Sequence, residues 1–155
     1  DAVQGKALAE ARLEQLRLAA QWFKRALDQK PDDLSLRYAY AVTLAQAGDV
    51  AGALPLFQAF VAAEPARTDL RLEYATLLEA AGQRPEAIRL AEGIGSQDPA
   101  FLQAQRLLAG WYEAEQRWTE AVAALRRFPV AEQATAAFRQ RLNRLQSKGR
   151  TSAAR

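Results

Sequence analysis

The chain has 155 residues, 50% of them hydrophobic and 25% charged, a balance that suits one ordinary globular domain. It contains no cysteine and no histidine, which excludes disulfides, thiolate chemistry and the commonest acid–base group and metal ligand. The net charge of +3 is divided unevenly: residues 1–125 carry 13 basic and 17 acidic side chains, net −4, and residues 126–155 carry eight basic ones against Glu132 alone, net +7.

No apolar run approaches the ~20 residues that span a bilayer, and the first residues show no cleavable apolar leader. The absence of methionine suggests a soluble segment of a longer protein, with cytoplasm and periplasm both open as its compartment. One periodicity then orders everything else. Pro31, Pro65 and Pro99 are evenly spaced, and the same step links Ala41, Ala75 and Ala109, then Ala53, Ala87 and Ala121. Gly48 matches Gly82 and Tyr40 matches Tyr74 at that interval. Repetition at this period signals stacked units, each too small to bury its own apolar face.

Residues 2–33 form a degenerate first unit. Ala7, Ala19, Phe23 and Ala26 fall one step before Ala41, Ala53, Phe57 and Phe60, and strong helix formers dominate. The turn expected near Glu14-Gln15 has no glycine, which leaves either two tightly joined helices or one longer helix. Pro31 closes the unit. Asp32 and Asp33 are placed to cap the next helix; as metal ligands they have no companions near them in sequence.

The second unit, residues 34–67, shows a helical pattern broken at Gly48-Asp49. Ala41 and Ala53 sit where its two helices touch, Phe57 and Phe60 supply bulk, and Pro55 falls in about the first turn of the second helix. The third unit, residues 68–101, repeats this plan with Pro85 at the start of its second helix. Its Gly93-Ile94-Gly95-Ser96 run lacks the flanking strand and third glycine of a phosphate loop and reads as a fraying helix end. The fourth unit, residues 102–128, carries Trp111, Tyr112 and Trp118 at core spacing rather than as a base-stacking surface. Pro129 cuts it short. A capping helix is predicted over 131–146, with Phe138, Leu142 and Leu145 on one stripe. The repeat domain thus covers 1–147, and residues 148–155 are expected to be a basic, disordered tail.

With these residues in place, the chain resembles the tetratricopeptide repeat family over roughly residues 2–128. That family uses 34-residue helix-turn-helix units with small residues at the eighth and twentieth places, an aromatic near the twenty-fourth and proline at the thirty-second. Ala41, Ala53, Phe57 and Pro65 match in the second unit, and Ala75, Ala87 and Pro99 in the third, where Ala91 replaces the aromatic. Ala109, Tyr112 and Ala121 match in the fourth, with Leu125 at the aromatic place. The resemblance implies an all-α fold: antiparallel helix pairs stacked into a right-handed superhelical solenoid, with nine helices and no strand.

It also implies a concave groove that binds a protein or peptide segment. The positions that would line it are Ser35, Tyr38, Val42 and Gln46, then Asp69, Leu72, Glu73, Thr76 and Glu79, then Gln103, Arg106, Gly110 and Glu113. The lysine, asparagine and arginine clamp by which one subgroup holds a C-terminal carboxylate is absent, because Tyr38, Val42, Asp69 and Glu73 occupy its places. The acids of this groove favour a basic or neutral partner with apolar side chains meeting Tyr38, Val42 and Leu72. No cofactor, metal or small-molecule substrate is expected, and no catalysis, since only carboxylates and hydroxyls remain and Glu113 and Glu115 point apart on their helix. The leading expectation is therefore a scaffold in a multi-protein bacterial assembly, such as envelope or exopolysaccharide secretion machinery. The alternative is a tether to an anionic membrane surface or nucleic acid through Arg139, Arg141, Arg144, Lys148 and Arg150.

Overall fold

The structure, a computed structural model, describes residues 2–153. Among the described residues there are nine α-helices and no strand. They fall into two compact units, Asp1–Gly82 and Gln83–Arg155, so the boundary lies inside the third sequence repeat.

The first unit holds α1 (Ala2–Gln29), α2 (Leu34–Gln46), α3 (Val50–Ala63) and α4 (Thr68–Ala80). α1 is one unbroken helix of 28 residues, which resolves the open choice for the first repeat: nothing near Glu14-Gln15 favours the left-handed conformation that ends a helix. Ala20 joins the core formed with α2 and α3, while residues 4–12 are all exposed. α2 starts where Asp33 accepts the Leu36 amide at 3.1 Å, and α3 where Asp49 accepts the Gly52 amide at 2.9 Å; each cap contributes about 1 kcal/mol. Arg37 donates to the Pro31 carbonyl at 2.5 Å and Arg71 to the Pro65 carbonyl at 2.5 Å. In each of these two repeats an arginine thus ties a helix to the proline turn before it. Pro55 is the sixth residue of α3, about a turn deeper than expected, so the Ala51 carbonyl loses its helical donor.

The core of this unit rests on alanine against aromatic. Ala41 and Ala53 are 0% exposed, which lets α2 and α3 approach closely. Phe57 and Phe60 are buried beside them, and the half-buried Tyr38 ring meets both edge-on, at 6.2 and 5.7 Å between centroids.

The second unit holds α5 (Arg84–Glu92), α6 (Phe101–Ala114), α7 (Trp118–Leu125), α8 (Val130–Gln133) and α9 (Ala136–Ala153). Ala104, Ala109 and Ala121 are fully buried, as are Trp111 and Tyr112 to within a few per cent. Trp118 departs from its expected core place: it is half-exposed at the start of α7. The predicted capping helix is also different. It is split at Ala134-Thr135, because the Gln133 side-chain amide reaches back to the carbonyls of Arg126 and Phe128 at 3.1 and 2.6 Å and holds α8 as a single turn. α9 then continues through residues 148–153, assigned from sequence to a disordered tail. Thr151 bonds to the Lys148 carbonyl at 2.9 Å, and the helix passes close enough to α7 that a Cβ on Gly149 would lie 3.5 Å from the Trp118 Cβ. Residues 154 and 155 lie outside the described residues.

α9 is more than a cap. Helices α2, α4 and α6 begin at Leu34, Thr68 and Phe101, and α9 begins at Ala136, on the same step to within one residue. Thr43, Leu77 and Trp111 are buried at one register position, and Leu145, one repeat further along, is buried too. α9 is therefore built as the first helix of a fifth repeat. The turns carry the same register. Gly48 and Gly82 adopt φ of 80° and 79°, and Gln116, one step on, adopts φ of 60°. Its amide bonds to the Glu113 carbonyl at 3.1 Å and Arg117 to that of Tyr112 at 2.8 Å, the pattern Gly48 and Asp49 make with Ala45 and Leu44. Glycine adopts this conformation freely, whereas a side chain there is strained.

Two sets of substitutions test this frame by chemical denaturation. Gln116→Gly should stabilise the chain by about 0.5–1 kcal/mol, relief of strain outweighing the entropy glycine adds to the unfolded state, while Gly82→Ala should cost a similar amount. Phe57→Ala should cost about 3–5 kcal/mol, because its ring is buried and the alanines around it cannot close the void; a loss near that of a surface change would refute the packing described.

Candidate functional site

In the first unit, α2 and α4 bring together nine of the positions assigned to the groove. Ser35, Gln46, Asp69, Glu73 and Thr76 are exposed, and Tyr38, Val42 and Glu79 are half-buried. Leu72 is a correction: it is 2% exposed and cannot meet a partner. It is adjacent to Glu73, and one residue turns a helix by about 100°, so the two cannot share a face. The apolar wall that is available comes instead from Tyr38, Val42 and Leu34, the last exposed at the start of α2.

Tyr38 joins the two helices. Its ring is fixed by Phe57 and Phe60, and its hydroxyl lies 3.2 Å from each carboxylate oxygen of Glu73 on α4. Burial pushes the Glu73 carboxyl above the ordinary glutamate value; the Tyr38 bond pulls it partly back, and the neighbouring Asp69 charge adds to the rise. Burial, followed by the Glu73 charge and bond, raises the Tyr38 hydroxyl as well. Asp69 behaves oppositely. Arg67 meets it through two hydrogen bonds, at 2.9 and 2.6 Å, and holds its carboxyl at about 2. Arg67 also lies 3.6 Å from Glu64. The sequence places no cation in this part of the groove, because Arg67 precedes α4 and stands outside its helical pattern. With Asp69 matched by Arg67 and Glu64 close to the same guanidinium, the acidic character of this face centres on Glu73. Ser35, Tyr38, Phe60, Glu64, Arg67 and Leu70 line a cleft of about 260 Å³ beside it.

The second unit presents the four remaining positions on α6, and its own chain engages two of them. Arg106 lies 3.6 Å from Glu132 of α8 and sits 5.3 Å from the Phe128 ring. Glu113 accepts from Arg141 at 2.7 Å and lies 3.9 Å from Arg144, both on α9. Two residues assigned to a cationic surface thus meet one assigned to the groove. Gln103 and Gly110 are exposed between them. Of the other basic positions, Lys148 stands 4.8 Å over the Trp118 ring, and Arg139 and Arg150 are exposed. Among the described residues, no group of three or more acids could hold a metal ion and no helix is long and apolar enough to cross a membrane.

Residues 44–110 match the tetratricopeptide repeat family. A comparison with curated proteins finds no match. Among solved structures, the chain is similar to the segment of MamA from Desulfovibrio magneticus RS-1 that runs from residue 41 to its end: 18% identity, 98% of this chain and 86% of that one covered, TM-score 0.68. It is also similar to the nearly identical TPR-like repeats of a putative kinesin light chain from Podosopora anserina, at 23% identity, 94% and 85% coverage and TM-score 0.68. MamA of AMB-1 gives 20% identity, 83% and 70% coverage and TM-score 0.64. At such identities the likeness establishes the fold.

The raised Glu73 carboxyl carries a sign that can be checked. A group whose folded value lies above its unfolded one favours folding below the unfolded value, and that contribution is lost as pH rises through the folded one. Glu73→Gln should therefore raise the melting temperature at pH 7, and the two proteins should converge near pH 3, where Glu73 is protonated. In Tyr38→Phe, which removes a bond favouring the carboxylate, the Glu73 carboxyl should titrate still higher in a carbon NMR titration while Asp69 stays near 2.

Proposed function

We propose that this chain, a tetratricopeptide repeat protein, is a non-catalytic scaffold that holds a basic or neutral segment of a partner protein against the α2/α4 face of its first unit. The fold supports protein–protein interaction as the general role, and the observation that carries the finer statement is the Tyr38–Glu73 pair. It fixes an acidic group at the seam of two repeats by packing its tyrosine on buried phenylalanines, so little side-chain entropy is lost when a ligand binds. A lysine or arginine would meet Glu73 and Glu64 there, and apolar side chains would meet Tyr38, Val42 and Leu34. On this reading the partner lies across α2 and α4, and the α6 face is closed to it by Glu132, Arg141 and Arg144.

A scaffold role also accounts for the chemistry. The perturbed pair of the first unit is a tyrosine bonded to a glutamate on an open helix face, and the chain has no histidine or cysteine to act beside it. We place the scaffold in a bacterial multi-protein assembly of the envelope or exopolysaccharide-secretion kind, on its alanine- and arginine-rich usage and the family resemblance. The tether reading loses ground, because Glu113 engages two of the arginines it needs.

The test uses two fluorescent peptides of equal length and apolar content, one carrying lysine and arginine and the other aspartate and glutamate at the same places. The basic peptide should bind and the acidic one should not, and binding should weaken as salt screens the exposed charges. Glu73→Lys with Glu79→Lys should weaken the basic peptide by about tenfold or more, roughly 1.4 kcal/mol, with helicity by circular dichroism unchanged. Equal affinity for the two peptides, or no effect of the reversal, would sink the proposal.

A further inference from the structure

Gln105 of α6 is a buried polar side chain that the fold does not use. It is 5% exposed, and its amide has no hydrogen-bond partner among the described residues. In repeat register it stands one step after Arg71, itself one step after Arg37. Those arginines donate to the Pro65 and Pro31 carbonyls, and Gln105 takes their place without making that bond. A buried amide with nothing to bond it lowers the stability of the free chain.

Gln105 lines a cavity of about 280 Å³ within the second unit, together with Glu92 at the end of α5, Leu108 and Tyr112 of α6, Glu120 of α7, and Arg127. At about 100° per residue, Gln105, Leu108 and Tyr112 form one stripe of α6, turned away from Gln103, Arg106 and Gly110. The cavity is thus separate from the α6 positions assigned to the groove. Tyr112 donates to one oxygen of Glu92. Burial, followed by that bond, raises the tyrosine hydroxyl and keeps it a donor. Arg117 lies 4.6 Å over the Tyr112 ring and donates to Glu120 at 3.0 Å. Glu92 is exposed and pairs with no cation among the described residues. Arg127 is exposed too, and its guanidinium lies 5.8 Å from the Phe101 ring.

We propose that this cavity is a second binding site, which takes a guanidinium group carried on an aliphatic stem. A guanidinium presents five N–H donors in one plane, enough to serve the open oxygen of Glu92, the Glu120 carboxylate and the Gln105 carbonyl together. It is also more weakly hydrated than an ammonium, so less is lost when it enters beside a buried amide. Leu108 receives the stem. The volume falls just under the range of ordinary small-molecule pockets, about 300–1,000 Å³, and suits one such group rather than a cofactor. The group comes either from free arginine, whose carboxylate meets Arg127, or from an arginine side chain of a partner protein.

The experiment is an NMR titration of the whole chain with agmatine, which is arginine without its carboxylate. Amide signals around Glu92, Gln105 and Glu120 should shift and saturate with a Kd of about 1 mM or tighter, and n-butylammonium should bind more weakly. Gln105→Leu, similar in size, and Glu92→Gln, at an exposed position, should each weaken agmatine by about tenfold or more. Gln105→Leu should also raise the melting temperature of the unliganded chain, because it removes the unpaired amide. L-Arginine binding more tightly than its N-acetyl, N-methylamide form, with the gain lost in Arg127→Ala, would assign the free amino acid as the source; equal binding of the two would assign a side chain of a partner. The proposal is overturned by the absence of a saturable shift up to about 20 mM agmatine, by shifts centred on Tyr38 and Glu73 instead, or by a Gln105→Leu chain that melts at a lower temperature.

Discussion

The structure depends on how closely its helices approach. Ala41 and Ala53 in the first unit, and Ala109 and Ala121 in the second, at the eighth and twentieth places of their repeats, are all 0% exposed. A methyl group is the largest side chain that allows the backbones this near, and a larger one would force the pair apart or off its rotamers. Close approach in turn brings the bulky positions into mutual contact: in the first unit Phe57 and Phe60 stand edge to face at 6.4 Å, and in the second Leu125 and Leu145 are among the most completely buried side chains. The small residues set the spacing, and the aromatic and branched ones fill what it leaves.

The face proposed to bind a partner follows from the same spacing. Tyr38 belongs to the core through its ring and to the surface through its hydroxyl, and it can do both only because Ala41 and Ala53 hold α3 near enough for Phe57 and Phe60 to reach it. Glu73 is then desolvated by the structure that positions it, and its carboxyl rises accordingly. A charge kept where it destabilises the free protein belongs with sites whose local cost is offset by function. Asp69, one turn earlier on the same helix, is matched by Arg67 and carries no such burden.

Much of this was legible in the sequence, and what was not has physical causes. Prolines and alanines recur at one fixed interval because each marks a place where backbone geometry admits few residues, so the fold and the helix boundaries of the middle repeats could be read directly. Contacts made by flexible or off-pattern groups could not. Arg67 reaches Asp69 from outside the helix, and the α9 arginines find Glu113 from a distant part of the chain. Leu72 was misplaced because a groove assigned by repeat position ignores that its neighbour Glu73 already occupies the exposed side. α9 reads as a cap from its single apolar stripe of Phe138, Leu142 and Leu145 and its otherwise wet face; Leu145, one repeat step after Trp111, is the signal that carries its register.

The two units share one repeat plan yet treat the acid on the equivalent helix face differently, and the residues around it explain the difference. In the first unit the equivalent face carries Glu73 with a tyrosine as its partner, which leaves the charge in place. In the second, Glu113 occupies the repeat position of Glu79 and meets arginines instead. The sequence concentrates its cations after residue 125, and α9 delivers two of them to the half-buried acid at the end of α6. Those same arginines therefore serve the fold before they can serve a membrane or a nucleic acid. A cationic helix on a repeat protein can complete a neighbouring groove from within the chain, and its composition alone does not distinguish that role from a tether.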